Sequence, residues 1–220
     1  MRFIDPTGML VDDYFNVNGD YLGKDEAKTD NVKIISQNSW DNLKTVNDDG
    51  TETIDHATGS KVSTDHSTAD LSTTASLSVY DHYNPTDLPV TASTDDNGQK
   101  GGGSFDIDLN TKKATRIEMK IEGNKNLGIS NHANEISNIF SHEEKHYDDF
   151  KELGFNGYIN MSVNQRESRA VQTQMNQSTF KMMRENTQEQ VKDYGANNGM
   201  MFLLKIPVQG IQISTIQPSK

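Results

Sequence analysis

Residues 141–150, Ser-His-Glu-Glu-Lys-His-Tyr-Asp-Asp-Phe, decide how this chain reads. Within them His142, Glu143 and His146 spell H-E-x-x-H. Side chains four residues apart on a helix lie one turn apart and about 40° around the axis, so two imidazoles can grip one Zn²⁺ with the glutamate beside it. The surrounding pattern predicts a helix from Asn131 to Leu153, with Gly154 as its C-cap. On that helix His142, His146 and Glu143 share a side with Ile136, Ile139, Phe150 and Tyr147, while Ser141, Glu144, Lys145, Asp148 and Lys151 take the opposite one. A solvated charge run would not place its histidines among the apolar residues. Asp149 falls in line with His142, either as an acceptor for the free N–H of a liganding imidazole or as a plain surface aspartate.

Further along, a second helix is predicted from Ser162 to Glu185. Glu167 lies in the middle of its apolar stripe, among Val163, Ala170, Val171, Met175 and Met182. A buried carboxylate is found paired, protonated or on a metal, because burying it alone is costly. The 20 residues between His146 and Glu167 allow a loop and a returning helix to bring that oxygen to the imidazoles. His142, His146 and Glu167 would then be the three protein ligands of a catalytic zinc with one open position. The competing reading pairs Glu167 with Arg166, Arg169 or Lys181. In the zinc reading Glu143 is the general base that takes the proton of a zinc-bound water and returns it to the leaving amine. Tyr158, His132 and Tyr194 are the candidate oxyanion donors.

Two half-buried strands are predicted at Phe105–Leu109 and Ile117–Ile121 from strict alternation, with a hairpin-like connection over Asn110–Lys113. Ile117–Ile121 is a candidate edge strand for an extended peptide. Near the N-terminus, Asn18-Gly19 between Tyr14–Val17 and Asp20–Leu22 predicts a hairpin with both turn residues at positive φ. Two strands alone are marginal in water, so this hairpin expects a partner sheet. Residues 36–104 are rich in Thr, Ser and Asp and read as short strands and loops or a mobile segment. His56, His66 and His82 each follow an Asp there and are expected to be exposed. Lys100–Ser104 reads as a flexible turn or linker. The chain therefore divides into a hairpin segment (1–35), the Thr/Ser/Asp-rich segment (36–104) and an α+β domain (105–220), in which a small β-sheet packs on the H-E-x-x-H helix and a second ligand-bearing helix.

Composition narrows the function. A formal charge of -11 argues against a binder of nucleic acid or of anionic membranes, since both need a basic face. Leu, Ile, Val and Phe make only 45 of the 220 residues, which for a charged chain makes disorder a serious option outside the apolar-rich second half. With no cysteine, disulfides, zinc-thiolate sites and a cysteine nucleophile are excluded. The longest apolar run, Met200–Leu204, is far too short to span a bilayer. The start, MRFIDPTGMLVDDYF, puts Asp, Pro and Gly where a signal peptide has its apolar region, so no signal peptide is expected in this chain.

Residues 3–26, FIDPTGMLVDDYFNVNGDYLGKDE, resemble the end of the repeat-associated core of Rhs/YD-repeat polymorphic toxins, where the shell hands over to a variable C-terminal toxin. Met9 stands where that family has Leu, so cleavage there is not implied. Over residues 105–185, HEEKH with Asp149 and the downstream Glu167-Ser168-Arg169-Ala170 resembles the thermolysin-type gluzincins and the HExxHxxD…ExxA peptidase domains carried by polymorphic toxins. A metzincin would need Gly and His where this chain has Asp149 and Glu152, and a deformylase would need an upstream Cys. The resemblance implies a zincin-like fold, one Zn²⁺ and hydrolysis of a protein or peptide substrate. It also implies delivery to a competitor cell, an encapsulating Rhs shell and a cognate immunity protein. A zinc amidase acting on a cell-wall peptide and a catalytically inactive binding module are the alternatives.

Overall fold

Gly19 turns the first hairpin at a φ of 83°, and a Cβ there would stand 2.2 Å from the Ala75 carbonyl oxygen, so both conformation and space call for glycine. The computed structural model that shows this describes residues 10–93, 102–122, 125–126 and 131–198. Asp5-Pro6-Thr7-Gly8, which reads as a turn signal, Lys100-Gly101 and the Met200–Leu204 run lie outside the described residues. Strands β1 (Asp13–Phe15) and β2 (Tyr21–Lys24) pair antiparallel around the turn. It is wider than the expected two-residue type, for Asn18 does not share Gly19's positive φ. Instead the Asn16 side-chain oxygen accepts from the Asn18 and Asp20 amides at 2.9 and 3.0 Å.

The partner sheet comes from the residues that follow. β3 (Val32–Ile34), helix α1 (Gln37–Leu43), β4 (Thr45–Val46), β5 (Glu52–Thr53), α2 (His56–Val62) and β6 (Thr64–Asp65) complete a mixed sheet in the order β4-β5-β2-β1-β3-β6. A short helical turn at 66–68 leads to α3 (Thr73–His82). Residues 36–93 thus hold three helices where the composition suggested loops. Their polar residues act as N-caps: Ser36, Asp55 and Ser72 accept from the amides of Ser39, Thr58 and Ala75. Of the three histidines expected to be exposed only His56 is; His82 is half-buried. His66 is buried edge-on against Tyr80, and His82 stacks on Tyr21 at 4.3 Å.

The second sheet is built from β7 (Val90–Ser93), β8 (Gly103–Asp108), β9 (Lys113–Glu122) and β10 (Lys125–Asn126). β9 pairs antiparallel with β8 and parallel with β7. It is therefore an interior strand and not the expected edge, because β7, which the alternation did not reveal, occupies its far side. Its alternation is real: Ile117 and Met119 are buried, whereas Arg116 bridges Asp106 and Glu118. Gly103 belongs to β8 rather than to a linker.

Helix α4 (Ala133–Asn160) carries the H-E-x-x-H residues. Gly154 breaks it as expected (φ 66°), but the helical path resumes beyond. The long second helix is instead broken in two, α5 (Val163–Asn176) and α6 (Ser178–Met182), followed by α7 (Glu185–Asn197). A straight helix would carry Phe180 about 140° away from Glu167, off the packed face. The extended Gln177 lets Phe180 and Met183 be buried. One hydrophobic core then joins Phe15, Val32 and Ile34 of the first sheet, Val79 and Tyr80 of α3, Ile117 and Met119 of β9, and Ile136 and Phe140 of α4. It crosses the borders at 35 and 104. A second core, with Tyr14, Ile35, Trp40 and Ile54, covers the other face of the first sheet. No helix among the described residues is long and apolar enough to cross a membrane.

Candidate metal centre

Helix α4 begins on a residue that is a poor cap: His132 makes no side-chain capping bond. Asp30 performs the capping from the first sheet. Its backbone oxygen accepts from Ala133 N at 2.7 Å, one carboxylate oxygen from Asn134 N and Nδ2, and the other meets His132 Nδ1 at 2.7 Å. Thus pinned, α4 buries Ile136, Phe140, Glu143 and His146 on one side. Helix α5 starts with a capping box between Ser162 and Gln165 and returns along α4.

Two polar clamps set the register of α4 and α5. At one end Asn138 Nδ2 donates to the Gln174 carbonyl while Gln174 Nε2 donates to Asn138 O. At the other, Arg169 grips Asp149 through Nε and Nη2 at 2.7 and 2.6 Å, and Lys145 adds a third contact. Burial raises the Asp149 carboxyl, but Arg169 and Lys145 more than offset it and hold the group below the usual carboxylate range. Asp149 therefore acts on the helix pair and not on an imidazole, which corrects its expected role. His142 Nδ1 meets Gln174, and His146 Nδ1 is buried with no hydrogen-bond partner among the described residues, so neither ring leans on this carboxylate.

Between the clamps three groups converge. His142 Nε2 lies 3.1 Å from His146 Nε2 and 3.1 Å from Glu167 Oε2, and His146 Nε2 lies 3.5 Å from Glu167 Oε1. Ligands about 2.0–2.1 Å from a tetrahedral zinc stand about 3.3 Å apart, so these separations match the edges of such a site. Proton placement points the same way. Gln174 Nε2 is committed to Asn138, so Gln174 Oε1, 3.0 Å from His142 Nδ1, must accept and Nδ1 carries the hydrogen. His142 Nε2 then faces a carboxylate oxygen, an arrangement that needs a positive centre between them, either a second ring proton or a bound cation. A divalent cation meets that need for all three groups, and His142, His146 and Glu167 could hold one. Glu167 is paired with none of Arg166, Arg169 or Lys181. Burial would raise its carboxyl, but His142 and His146 outweigh this and hold it well below the usual range.

Glu143 points into the same cleft, of about 180 Å³, beside Gly103, Ile139, Val191 and Tyr194. Burial raises its carboxyl, opposed by the two histidines, and the Phe105 amide donates to it. A Cβ on Gly103 would stand 3.3 Å from Glu143 Oε1, so a glycine here lets β8 approach the carboxylate. Of the three candidate oxyanion donors, only Tyr194 touches the cluster: its hydroxyl donates to Glu167 Oε2 at 2.9 Å. Tyr158 is buried beside the His146 ring with the Arg166 guanidinium 4.9 Å from its centroid, and burial pushes its hydroxyl up to about 12. His132 is misplaced for the role. It lies ten residues before His142, about 15 Å along the helix, and is engaged with Asp30.

Gln174 and Asp30 were missed in the sequence. Gln174 had a signal, since it follows Glu167 by seven residues and lies about 20° from it on the α5 wheel. Asp30, from another sheet, had none. No family model, no curated protein and no solved structure matches this chain.

Proposed function

We propose that this chain is a zinc-dependent metallopeptidase that serves as the toxin domain of an Rhs-type polymorphic toxin. The observation that carries the catalytic part is the convergence of His142 Nε2, His146 Nε2 and the Glu167 carboxylate at 3.1–3.5 Å, with the burial-raised Glu143 beside them. Bound by these three residues, zinc supplies an acidified water and a polarised scissile carbonyl. Glu143 takes the proton of the attacking water on its carboxylate and passes it to the leaving amine. Gln174 holds the His142 ring in the tautomer that turns Nε2 toward the cluster. Tyr194 keeps Glu167 Oε2 oriented from the rim. The substrate strand lies along β8, whose outer edge pairs with no other described strand and which runs past Glu143.

The delivery part rests on the likeness of residues 3–26 to the end of an Rhs core; it assigns an Rhs shell and an immunity protein as partners and a competitor cell as destination. Incubating the metal-loaded chain with an unfolded protein and, separately, with cell-wall fragments tests the chemistry. New amine termini on the protein, lost in Glu143→Gln while bound metal stays at one equivalent in this site, are the expected result. Release from cell-wall fragments alone reassigns the substrate, and equal turnover by Glu143→Gln removes the mechanism.

A further inference from the structure

We propose that Asp12, Asp25 and His56 form a second divalent-cation site, separate from the α4–α5 cluster, that fastens the first hairpin to α2. Asp12 immediately precedes β1 and Asp25 immediately follows β2, joined by the bond from Asp25 N to Asp12 O at 3.1 Å. Both side chains are fully buried, and one ligand atom from each lies within 4.8 Å of the other and of an atom of His56.

The two carboxylates are oriented as ligands usually are, each through its other oxygen. Asp12 Oδ1 accepts from the Thr29 hydroxyl at 2.7 Å, from Asn31 N at 2.8 Å and from Asn31 Nδ2 at 3.2 Å. Asp25 Oδ1 accepts from the amides of Asp12 and Ala27. On the facing side the Tyr14 hydroxyl steadies Asp25 Oδ2 at 3.0 Å, reaching it across Gly59, where a Cβ would stand 2.5 Å from that hydroxyl. Asp12 Oδ2 is left buried with no hydrogen-bond partner among the described residues. It faces His56 Nδ1 at 3.8 Å, beyond hydrogen-bond reach, while the same nitrogen lies 2.8 Å from Asp25 Oδ2.

Two carboxylates buried side by side need a proton or a positive partner; a proton on Asp12 Oδ2 would meet no acceptor among the described residues, and no Lys or Arg among them pairs with either group. An imidazolium at His56 would answer Asp25 and still leave Asp12 Oδ2 unanswered. A cation about 2.0–2.2 Å from each ligand atom satisfies both oxygens and the ring nitrogen together. Two carboxylates and one imidazole suit zinc or manganese. The half-exposed His56 opens the site to solvent and can move to close the 3.8 Å gap.

The test uses the full chain, stripped with chelator and titrated with Zn²⁺ alone, with bound metal counted after desalting. Two equivalents are expected for the unaltered chain and one for the His142→Ala/Glu167→Ala double variant. In that background His56→Ala, a surface truncation, should bind none and should lose the rise in Tm that added Zn²⁺ gives its parent. Asp12→Asn, which keeps an oxygen for Thr29 and Asn31, should do the same. A double variant that binds no zinc, or one that keeps its equivalent without His56, overturns the proposal. Failure of the catalytic reading looks different, as removal of His142 and Glu167 would then leave the stoichiometry unchanged.

Discussion

His142 is held at both ends of its ring, Nδ1 by Gln174 and Nε2 by the Glu167 cluster. Gln174 can serve because its own amide is fixed by Asn138, so the oxygen and not the nitrogen faces the imidazole. Gln174→Leu removes that acceptor and strands a buried N–H. Metal affinity should fall by about 10–100-fold, read by competition with a chromogenic chelator, while Gln174→Glu recovers most of it. Equal affinity in all three would detach Gln174 from the site. Asp149 contributes at a distance: its pair with Arg169, two residues past Glu167, sets the face that α5 presents.

At the scale of elements, α4 depends on the first sheet for its N-terminal turn. Asp30→Ala should cost about 1–2 kcal/mol in urea unfolding, the usual value of a lost cap. The same substitution should alter the pH dependence. Asp30 raises the His132 imidazole above its ordinary 6.5, against an opposing push from burial. A group raised on folding adds stability that is fully present below pH 6.5 and is lost as pH climbs through the folded value. That loss should vanish in Asp30→Ala, and a parallel pH profile in both proteins would contradict it. The helices α1, α2 and α3 show why a Ser/Thr/Asp-rich segment misleads. Ser36, Asp55 and Ser72 read as loop formers by composition, yet each starts a helix whose inward residue, such as Trp40 or Val79, is buried by sheets that local patterning does not reveal.

For the whole molecule, unfolding should be linked to acid through His66. Its ring is buried against Tyr80 with neither nitrogen hydrogen-bonded among the described residues, and burial brings it down to about 4 from 6.5. The unfolded chain therefore binds a proton in that window that the folded chain refuses, and stability falls as pH drops from 6.5 toward 4. The contribution amounts to about 3 kcal/mol at most. His66→Phe, which keeps the aromatic contact, should flatten that part of the profile of urea midpoint against pH. An unchanged slope would show that His66 is reached by water in the folded state.

Local pattern was enough for the H-E-x-x-H helix, for the strands expected over 105–109 and 117–121, for the glycine turn at Gly19 and for the part of the Glu167 stripe that is buried, Ala170 and Val171, while Val163 and Met182 are exposed; helical and strand periods are written along the chain itself. The helix breaks at Gln177, the burial of His66, the interior place of β9 and the Asp30 cap were settled only by tertiary structure. Each depends on which distant surface a side chain meets: Phe180 needs its own covered face, β9 needs β7, and α4 needs a carboxylate 102 residues upstream of His132. The candidate centre divides along the same line. The types and spacing of His142, Glu143, His146 and Glu167 named the candidate ligands and the proposed base, while the partners that orient them, Gln174 and Tyr194, came from the packing of α5 and α7, which no short-range period encodes.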